Sequence, residues 1–307
     1  MSVSTFARSR AGLLAVSGGA VLWGTTGVAV RTIADRSSLS AVPIGCYRLA
    51  IAAALLMLVF GRSGPRRLRA VWRRHRWVLV ASGAGLGIYQ ALYFVGVQYI
   101  GVSVSTLVSL AIAPVVLTIA SAVTARRRPS AASSVTVACA VGGLALVALA
   151  AGGTGSTAPH PVVGIVASLG SGLGYAATTV LNRRLVAEGD ALVLTAATSG
   201  IGALVLLPIA VPFGMAVPHD LVAGWWLFYI GLGPTAIAYW LFYSGLRSTT
   251  SEVAGVLTLL EPLTAALLAA WLLGESLTGA GLVGSGLLLV AIAVLYVRRP
   301  EMEPAAL

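Results

Sequence analysis

Apolar stretches long enough to cross a lipid bilayer recur along the entire chain of 307 residues. A transmembrane helix needs roughly 17–25 residues to cross about 30 Å of hydrocarbon. Backbone polar groups cannot face lipid unpaired, and continuous apolar runs without two-residue alternation favour helices over a closed barrel. We therefore predict an all-α integral membrane protein with ten transmembrane helices, called here the first to tenth spans. They lie at residues 12–33, 40–60, 77–97, 102–123, 134–152, 162–184, 191–211, 222–245, 252–273 and 279–297.

The composition excludes an ordinary soluble core. Apolar residues make up 58% of the chain and charged residues 9%, whereas soluble domains carry roughly 45–50% and about 25%. All 20 basic residues are arginines. A phosphate-binding P-loop requires a lysine, so ATP hydrolysis by that route is excluded. Cys46 and Cys139 lie in apolar runs, and we interpret them as inert filler rather than a disulfide or metal pair.

The arginines predict the orientation of the chain, because short loops rich in arginine stay on the cytoplasmic side. With both termini cytoplasmic, 17 of the 20 arginines fall in inner loops or at inner ends. Only Arg31 and Arg36 fall outside, and Arg48 lies within the second span. Seven arginines crowd into residues 62–76 together with apolar residues at helical spacing. We interpret this segment as an interfacial helix on anionic lipid rather than a nucleic-acid site.

The two halves of the chain resemble each other in sequence. Leu107–Pro114 of the fourth span matches Gly255–Pro262 of the ninth at an offset of 148 residues, and Tyr89–Gly96 of the third matches Ala238–Gly245 of the eighth at 149. The first and sixth spans match at 152. Three matches in order, at a nearly constant offset, predict two five-helix repeats at residues 12–152 and 162–298. The matched positions of the first and sixth spans are Gly18 with Gly170, Trp23 with Tyr175 and Arg31 with Arg183.

An odd number of spans per repeat places the second copy upside down relative to the first. The charges agree, since the fourth span ends in Arg126–Arg128 on the predicted inner side and the ninth ends in Gly274–Glu275 on the outer side. Inverted repeats about an axis in the membrane plane are the usual architecture of alternating-access transporters. This fold-level inference predicts a secondary transporter.

The chain resembles the ten-helix EamA-like members of the drug/metabolite transporter superfamily. The resemblance is carried by Leu257–Thr264 and Leu272–Glu275 near the ninth span, together with Trp23-Gly24 and the Arg48-Leu-Ala segment. It covers residues 12–298. One position departs from a symmetrical pattern, because the first copy has Ala113 where the second has Glu261.

This resemblance implies a bacterial inner-membrane carrier, multi-pass, that exports amino acids, related metabolites or drugs. It also implies driving by protons or an electrochemical gradient, and neither a cofactor nor an enzymatic activity. A flippase of lipid or lipid-linked sugar shares the architecture and stays open as an alternative. A membrane-embedded enzyme would need a visible constellation, such as a zinc-binding His-Glu-x-x-His motif, which the sequence lacks. The three histidines have no metal-ligand spacing.

Glu261 is a candidate for proton coupling or for recognising a substrate amine, and the alternative is a structural carboxyl satisfied locally beside the Pro262 kink. It lies nine residues into the ninth span, which is about 13 Å of helix and so near the midplane. A carboxylate there costs about 2.5–3.5 kcal/mol, so we expect it to be protonated, paired or facing a wet cavity. Pro114 and Pro262 each remove a helical hydrogen bond, and we interpret them either as hinges beside a cavity or as packing kinks.

Arg48 is the second charged candidate. It lies too deep in the second span to reach the membrane surface easily, and it either binds a substrate carboxylate or forms an interhelical pair, with Glu261 as one possible partner. Aromatic residues at matched positions of the repeats are predicted to line a cavity, with packing between helices or an interfacial belt as the alternative. The candidate lining residues are Trp23, Tyr89, Gln90, Tyr93, Tyr175, Tyr239 and Tyr243.

Overall fold

The structure is a computed structural model that describes residues 3–126, 128–150, 160–273 and 279–297. All regular secondary structure in these ranges is helical, which confirms the predicted all-α fold class. Short 3₁₀ turns occupy Gly61–Ser63 and Val211–Phe213, and a π-helical segment occupies Leu232–Ile237. The α-helices are α1 Val3–Gly24, α2 Thr26–Arg36, α3 Ala41–Phe60, α4 Gly64–Thr124, α5 Ala131–Ala150, α6 Pro161–Glu188, α7 Ala191–Ala210, α8 Leu221–Gly231, α9 Ala238–Leu246, α10 Ser251–Leu257, α11 Leu260–Leu273 and α12 Gly279–Val297.

Eight helices within these described ranges are long and apolar enough to cross a membrane. They correspond to the first four predicted spans and to the sixth through ninth. Two shorter apolar helices, Ser133–Ala148 and Gly279–Val294, occupy the places of the fifth and tenth spans. The described part of the chain thus gives eight candidate membrane spans, and the full count of ten stays a prediction. The predicted outer end of the ninth span at Gly274–Glu275 lies outside the described residues.

The third and fourth spans are joined without a loop. Both belong to α4, whose backbone departs from helical geometry at His75 and at Gly101. Gly101 has φ 78° and ψ 165°, a conformation that only glycine adopts without strain. A single residue therefore turns the chain between the two spans. The departure at His75 separates the arginine-rich segment that begins at Gly64 from the third span.

Three spans are interrupted near mid-length, each by a different local cause. In the first span, Thr25 separates α1 from α2, and its hydroxyl donates to the Leu22 carbonyl at 2.7 Å. In the eighth, Leu232–Ile237 widens into a π-helical turn around Pro234, which has no N–H to donate. In the ninth, a turn at residues 258–259 separates α10 from α11. Pro262 then falls in the first turn of α11, where a missing N–H does no harm.

Helix pairs from the two halves pack closely through glycines. The α1 helix packs on α9, the third and fourth spans pack on α6, α3 packs on α7, and α5 packs on α12. At the last pair the backbones of Gly143 and Gly284 meet: a Cβ at Gly143 would lie 2.7 Å from the Gly284 carbonyl, and the reverse distance is 2.6 Å. Small residues at such crossings allow the backbone approach that holds helices together in lipid.

Aspartates cap two helices at opposite ends of the fold. Asp190 accepts a hydrogen bond from the Leu192 N–H at the start of α7, and Asp220 accepts from Val222 and Ala223 at the start of α8. Each also faces an arginine, Asp190 with Arg67 at 3.4 Å and Asp220 with Arg36 at 3.7 Å. The Ala223 N–H, then the Val222 N–H and the Arg36 charge, hold the pKa of Asp220 below its usual range.

Candidate functional site

Aromatic rings from four spans meet in one cluster at the centre of the fold. The rings of Trp23 and Tyr239 are 5.0 Å apart in an edge-to-face arrangement, and Tyr89 meets Tyr175 at 5.8 Å in the same way. Phe242 joins both pairs, 5.3 Å from Trp23 and 6.3 Å from Tyr175. Edge-to-face pairs at these separations are favourable beyond the area that they bury. The structure thus brings together the first, third, sixth and eighth spans around residues that the sequence singles out.

A hydroxyl pair joins the two halves within this cluster. The Tyr89 hydroxyl lies 2.9 Å from the Tyr239 hydroxyl, across 150 residues of sequence. Both rings lie among residues of the largest buried cluster, with Tyr239 itself buried. The pair therefore links the third span to the eighth at the level of the aromatic cluster.

Arg48 binds Gln90 rather than Glu261. One Arg48 Nη donates to the Gln90 Oε1 at 2.7 Å. The charges of Arg48 and Glu261 interact through space, but among the described residues Glu261 takes part in no ion pair within 4.0 Å. The Arg48 residue is half-buried. The sequence left two roles open for Arg48, binding of a substrate carboxylate or an interhelical pair. The structure shows an interhelical hydrogen bond to the neutral amide of Gln90.

Glu261 lies at the N-terminus of a half-helix inside the protein. It is the second residue of α11, directly after the turn that interrupts the ninth span, and its backbone N–H donates to the Thr258 carbonyl at 3.0 Å. Its neighbour is Gly24 of the first span, where a Cβ would lie 2.7 Å from the Glu261 carbonyl oxygen and 2.5 Å from Thr264 Cβ. The interruptions of the first and ninth spans therefore touch. The half-buried carboxylate accepts no hydrogen bond from any described residue.

Several hydrogen-bond donors in the site are buried and have no partner. These include the Trp23 Nε1 and the Gln90 Nε2. The Tyr175 hydroxyl also lacks hydrogen-bond geometry to a partner, although Thr258 and Thr179 lie nearby. Unpaired buried polar groups are rare in proteins because each costs about 1–3 kcal/mol. Donors left free beside an arginine are suited to a ligand that supplies acceptor oxygens.

Tyr93 and Tyr243 are committed to other contacts. The Tyr93 hydroxyl lies 2.7 Å from the Thr106 hydroxyl, which ties the third span to the fourth. Tyr243 is 1% exposed and accepts a hydrogen bond from Asn182 Nδ2 at 3.1 Å. Its ring touches that of Tyr239 at 5.8 Å. Both residues thus lie beside the aromatic cluster, with their hydroxyls already paired.

A buried polar network around Asn182 was missed by the sequence reasoning. The Ser82 hydroxyl donates to Asn182 Oδ1, and Tyr243 also lies 3.5 Å from the Thr198 hydroxyl. Asn182, Ser82 and Thr198 are all buried. The network joins α4, α6, α7 and α9. The one sequence signal for this network is the Asn182 amide near the end of an apolar run. It is hard to single out beside the arginines at 183 and 184.

The two matched prolines occupy different local structures. Pro114 lies inside α4, whose backbone stays helical on both sides of it. Pro262 lies at the start of α11 after a break. A Cβ at Gly255 would lie 3.5 Å from the Pro114 Cα, so the fourth and ninth spans cross at this point. Within the described residues no group of three or more His, Cys, Asp or Glu side chains could hold a metal ion.

A family model matches the chain twice, over residues 10–149 and 162–297, and its description is the EamA-like transporter family. The protein is an EamA-like transporter. The resemblance inferred from the ninth-span motif is thereby confirmed. The family places the chain in the membrane as a multi-pass protein with a small molecule as its substrate, and it indicates a transporter rather than an enzyme.

Named relatives of this EamA-like transporter are described as transporters too. The uncharacterized transporter YwfM of Bacillus subtilis is 28% identical over 259 residues, which is 83% of each chain. The uncharacterized inner membrane transporter YicL of Salmonella typhimurium is 24% identical over 271 residues, 87% of this chain and 88% of its own. One solved crystal structure superimposes with a TM-score of 0.78 at 21% identity, covering 92% of this chain and 96% of that one, and so shares the fold.

Proposed function

We propose that this protein is a secondary transporter of the bacterial inner membrane that exports small metabolites such as amino acids by alternating access. Ten spans form two inverted five-helix repeats, with both termini cytoplasmic. The observation that carries the proposal is the central site, where Arg48, Glu261 and unpaired donors surround aromatic rings from both halves. The following contacts support each part of it.

Reciprocal contacts support the inverted repeat. A Cβ at Gly18 would meet the Leu241 Cδ1 at 3.5 Å, and a Cβ at Gly170 would meet the Leu92 Cδ1 at 3.2 Å. Gly18 and Gly170 are matched in sequence, as are Leu92 and Leu241. The first span therefore packs on the eighth as the sixth packs on the third, the arrangement expected of two copies related by a two-fold axis.

The residues of the site support a zwitterionic substrate. Arg48 offers planar N–H donors that suit a carboxylate. Glu261 offers an acceptor for an amine, or a proton for exchange with the substrate. The rings of Trp23, Tyr89 and Tyr175 supply flat apolar surface with polar edges. A small molecule with one carboxylate, one amine and an apolar body fits this combination of groups.

The interrupted helices support alternating access. The outer halves of the first and eighth spans, α2 and α8, pack together through an apolar cluster that α3 also joins. Thr25 and Tyr229 add a hydroxyl contact at 2.8 Å, and Arg36 faces Asp220 at 3.7 Å. Each half-helix is separated from its inner continuation by an interruption of the helix. Two linked half-helices with breaks at one level are able to tilt together as an outer gate.

Substrate identity is best found by comparing extracellular metabolites of cells that lack the gene and cells that overexpress it. A compound enriched outside the overexpressing cells is then loaded into proteoliposomes. For a substrate with a carboxylate we expect Arg48→Ala to weaken apparent affinity about ten- to a hundredfold, the range for a charge-assisted hydrogen bond. Arg48→Lys keeps the charge and is the matched control.

Two results would count against the proposal. Unchanged export of a carboxylate substrate by Arg48→Ala would reassign Arg48 to the scaffold. Movement of a labelled lipid between leaflets, with no flux of any soluble metabolite, would replace the export of soluble metabolites by flippase activity.

A further inference from the structure

We infer that the arginine-rich helix ahead of the third span is a docking surface for the headgroups of anionic phospholipids. The basic helix is defined here as residues 65–74, the part of α4 that precedes the non-helical backbone at His75. This inference concerns a surface away from the central site. It rests on the proposed cytoplasmic position of this loop.

The apolar side of the basic helix is already occupied by the protein. Leu68 and Val71 are partly buried and pack against the largest buried cluster, which includes Leu185, Val186 and Leu194. From the sequence alone these two side chains are expected to contact lipid, together with Trp72. With Leu68 and Val71 turned inward, the helix is fixed on the protein and cannot insert its apolar face into the membrane.

The opposite side presents free positive charge. Arg66, Arg69 and Arg73 recur at spacings of three and four residues, which places them on one helical face. All three are exposed, and none forms an ion pair or hydrogen bond with any described residue. Arg67, by contrast, is paired with Asp190 at 3.4 Å and its guanidinium lies over the Phe60 ring. The basic face is defined as Arg66, Arg69 and Arg73.

Exposed apolar residues on both sides place this face at the edge of the hydrocarbon. Leu58 and Val59, just before the basic helix, are about three-quarters exposed, at 76% and 75%. Trp77, at the start of the third span, is 73% exposed, and Trp72 is 44% exposed. Exposed tryptophans collect at the membrane–water interface. The basic face therefore lies at headgroup depth, where anionic lipid phosphates are found.

The charge and its depth select the partner. Arginine binds phosphate oxygens through several planar N–H donors. A cluster of arginines beside a membrane span attracts anionic lipids, with a gain of about fivefold in affinity for each arginine. The shared chemistry is a phosphate group, and the depth of the face commits the surface to a lipid phosphate rather than to a soluble one.

Lipid binding at this face also bears on the central site. The basic helix leads through His75 into the third span, which carries Tyr89 and Gln90. Arg67 ties the same helix to the capping residue of α7. A lipid held by the basic face therefore lies beside the inner ends of the third and seventh spans, which Arg67 and Asp190 already join.

The test titrates detergent-solubilised protein with phosphatidylglycerol and follows the melting temperature, with zwitterionic phosphatidylcholine as the reference lipid. We expect phosphatidylglycerol to raise the melting temperature and Arg69→Gln/Arg73→Gln to weaken apparent lipid affinity about thirtyfold. Added salt should weaken binding by the native protein, because exposed charges are screened over about 8–10 Å. Arg126→Gln/Arg128→Gln removes the same charge from another predicted inner loop and should leave the affinity near that of the native protein.

Further arms distinguish the other outcomes. Arg69→Lys/Arg73→Lys keeps the charge and should retain most of the binding, which separates a charge effect from damage to the fold. Equal losses of lipid affinity in Arg69→Gln/Arg73→Gln and in Arg126→Gln/Arg128→Gln would show that binding depends on net charge alone. That result would overturn the assignment of binding to the basic face. A shift produced equally by glycerol phosphate would overturn the commitment to lipid, and no difference between the two lipids would overturn the proposal altogether. Failure of the transport assay with every metabolite would leave the lipid titration readable, so the two proposals fail independently.

Discussion

The first, eighth and ninth spans are interrupted near mid-length, whereas the sixth, third and fourth spans that match them in sequence run on without a break there. Thr25, the segment Leu232–Ile237 and the turn at 258–259 mark the three interruptions. Spans that match in sequence thus differ in the continuity of their helices. The interrupted set also carries Glu261, at the start of the half-helix α11. The uninterrupted set meets it through Tyr89 and Tyr175, which contact Tyr239 and Phe242.

Residues at matched positions make different contacts in the two sets of spans. Gly24 allows the first span to touch the Glu261 backbone, whereas its counterpart Ala176 is buried against Ala113. In the pair formed by the third and sixth spans, Asn182 and Ser82 bind each other. The matched positions in the pair formed by the eighth and first spans are Val30 and Gly231. Polar contacts therefore lock the uninterrupted pair of helices near one end. At the matched positions the interrupted pair has apolar residues, and its polar contacts are those of Thr25 with Tyr229 and of Arg36 with Asp220.

The largest expected effect comes from the matched position at which the repeats differ in charge, Glu261 in the second and Ala113 in the first. Glu261→Gln keeps the shape and the helix break, so insertion should survive while transport falls at least about tenfold, as expected when a charged partner is lost. Transport is measured in proteoliposomes from about pH 5 to about pH 8, because a group that transfers protons near neutral pH has its pKa in this range. Normal rates throughout would remove Glu261 from the mechanism. Ala113→Glu should not restore transport in the Glu261→Gln background, because the fourth span has no half-helix end at that position.

The contact between two interruptions is tested by Gly24→Ala. The added methyl group would lie 2.7 Å from a backbone oxygen and 2.5 Å from Thr264 Cβ, so the first and ninth spans must separate. We expect a destabilisation of about 1–3 kcal/mol, visible as a lower melting temperature, and a loss of transport. Gly27→Ala is the matched control, because nothing lies within 4 Å of its Cβ position. Equal behaviour of the two variants would show that the contact at Gly24 does not matter.

The polar lock of the uninterrupted pair is tested by Asn182→Val, which installs the residue of the other copy. Ser82 and Tyr243 would each lose a buried partner, at about 1–3 kcal/mol for each group. We expect a lower melting temperature and greater labelling of cysteines placed near Asn182. Thr198→Val should act more weakly, since the Thr198 hydroxyl bonds mainly to the Leu194 carbonyl of its own helix. A larger effect at Thr198 would shift the lock away from Asn182.

The smallest effect is expected at the capped end of the interrupted pair. Because hydrogen bonds from Ala223 and Val222 and the charge of Arg36 lower the pKa of Asp220, its contribution to stability is present above the ordinary aspartate pKa of about 4. That contribution is lost as the pH falls through the lowered value. The difference in melting temperature between the native protein and Asp220→Ala should therefore shrink as the pH falls from about 6 to about 3. A difference that stays constant over this range would show that the charge has no part in it.

Much of this architecture could be predicted from the sequence, because it follows from apolar length and repeat spacing. Those two signals located the helices, the matched prolines and the aromatic residues that meet at the site. The pairing of Arg48 with Gln90 depends on how the second and third spans are rotated about their axes. No local sequence pattern indicates that rotation. The hydrogen bond between Ser82 and Asn182 joins residues 100 positions apart, and single polar residues in apolar runs do not reveal their partners. Likewise, Leu68 and Val71 have the spacing of a lipid-facing stripe but pack on protein.

The single-residue turn at Gly101 gives the third and fourth spans almost no slack. Tyr93, eight residues before Gly101, and Thr106, five residues after it, are held together by a hydroxyl contact at 2.7 Å. Rotation of one span therefore requires rotation of the other. A flexible insertion at Gly101 would allow the third and fourth spans to rotate separately. Motion at Tyr89 would then no longer reach Pro114 and the crossing with the ninth span.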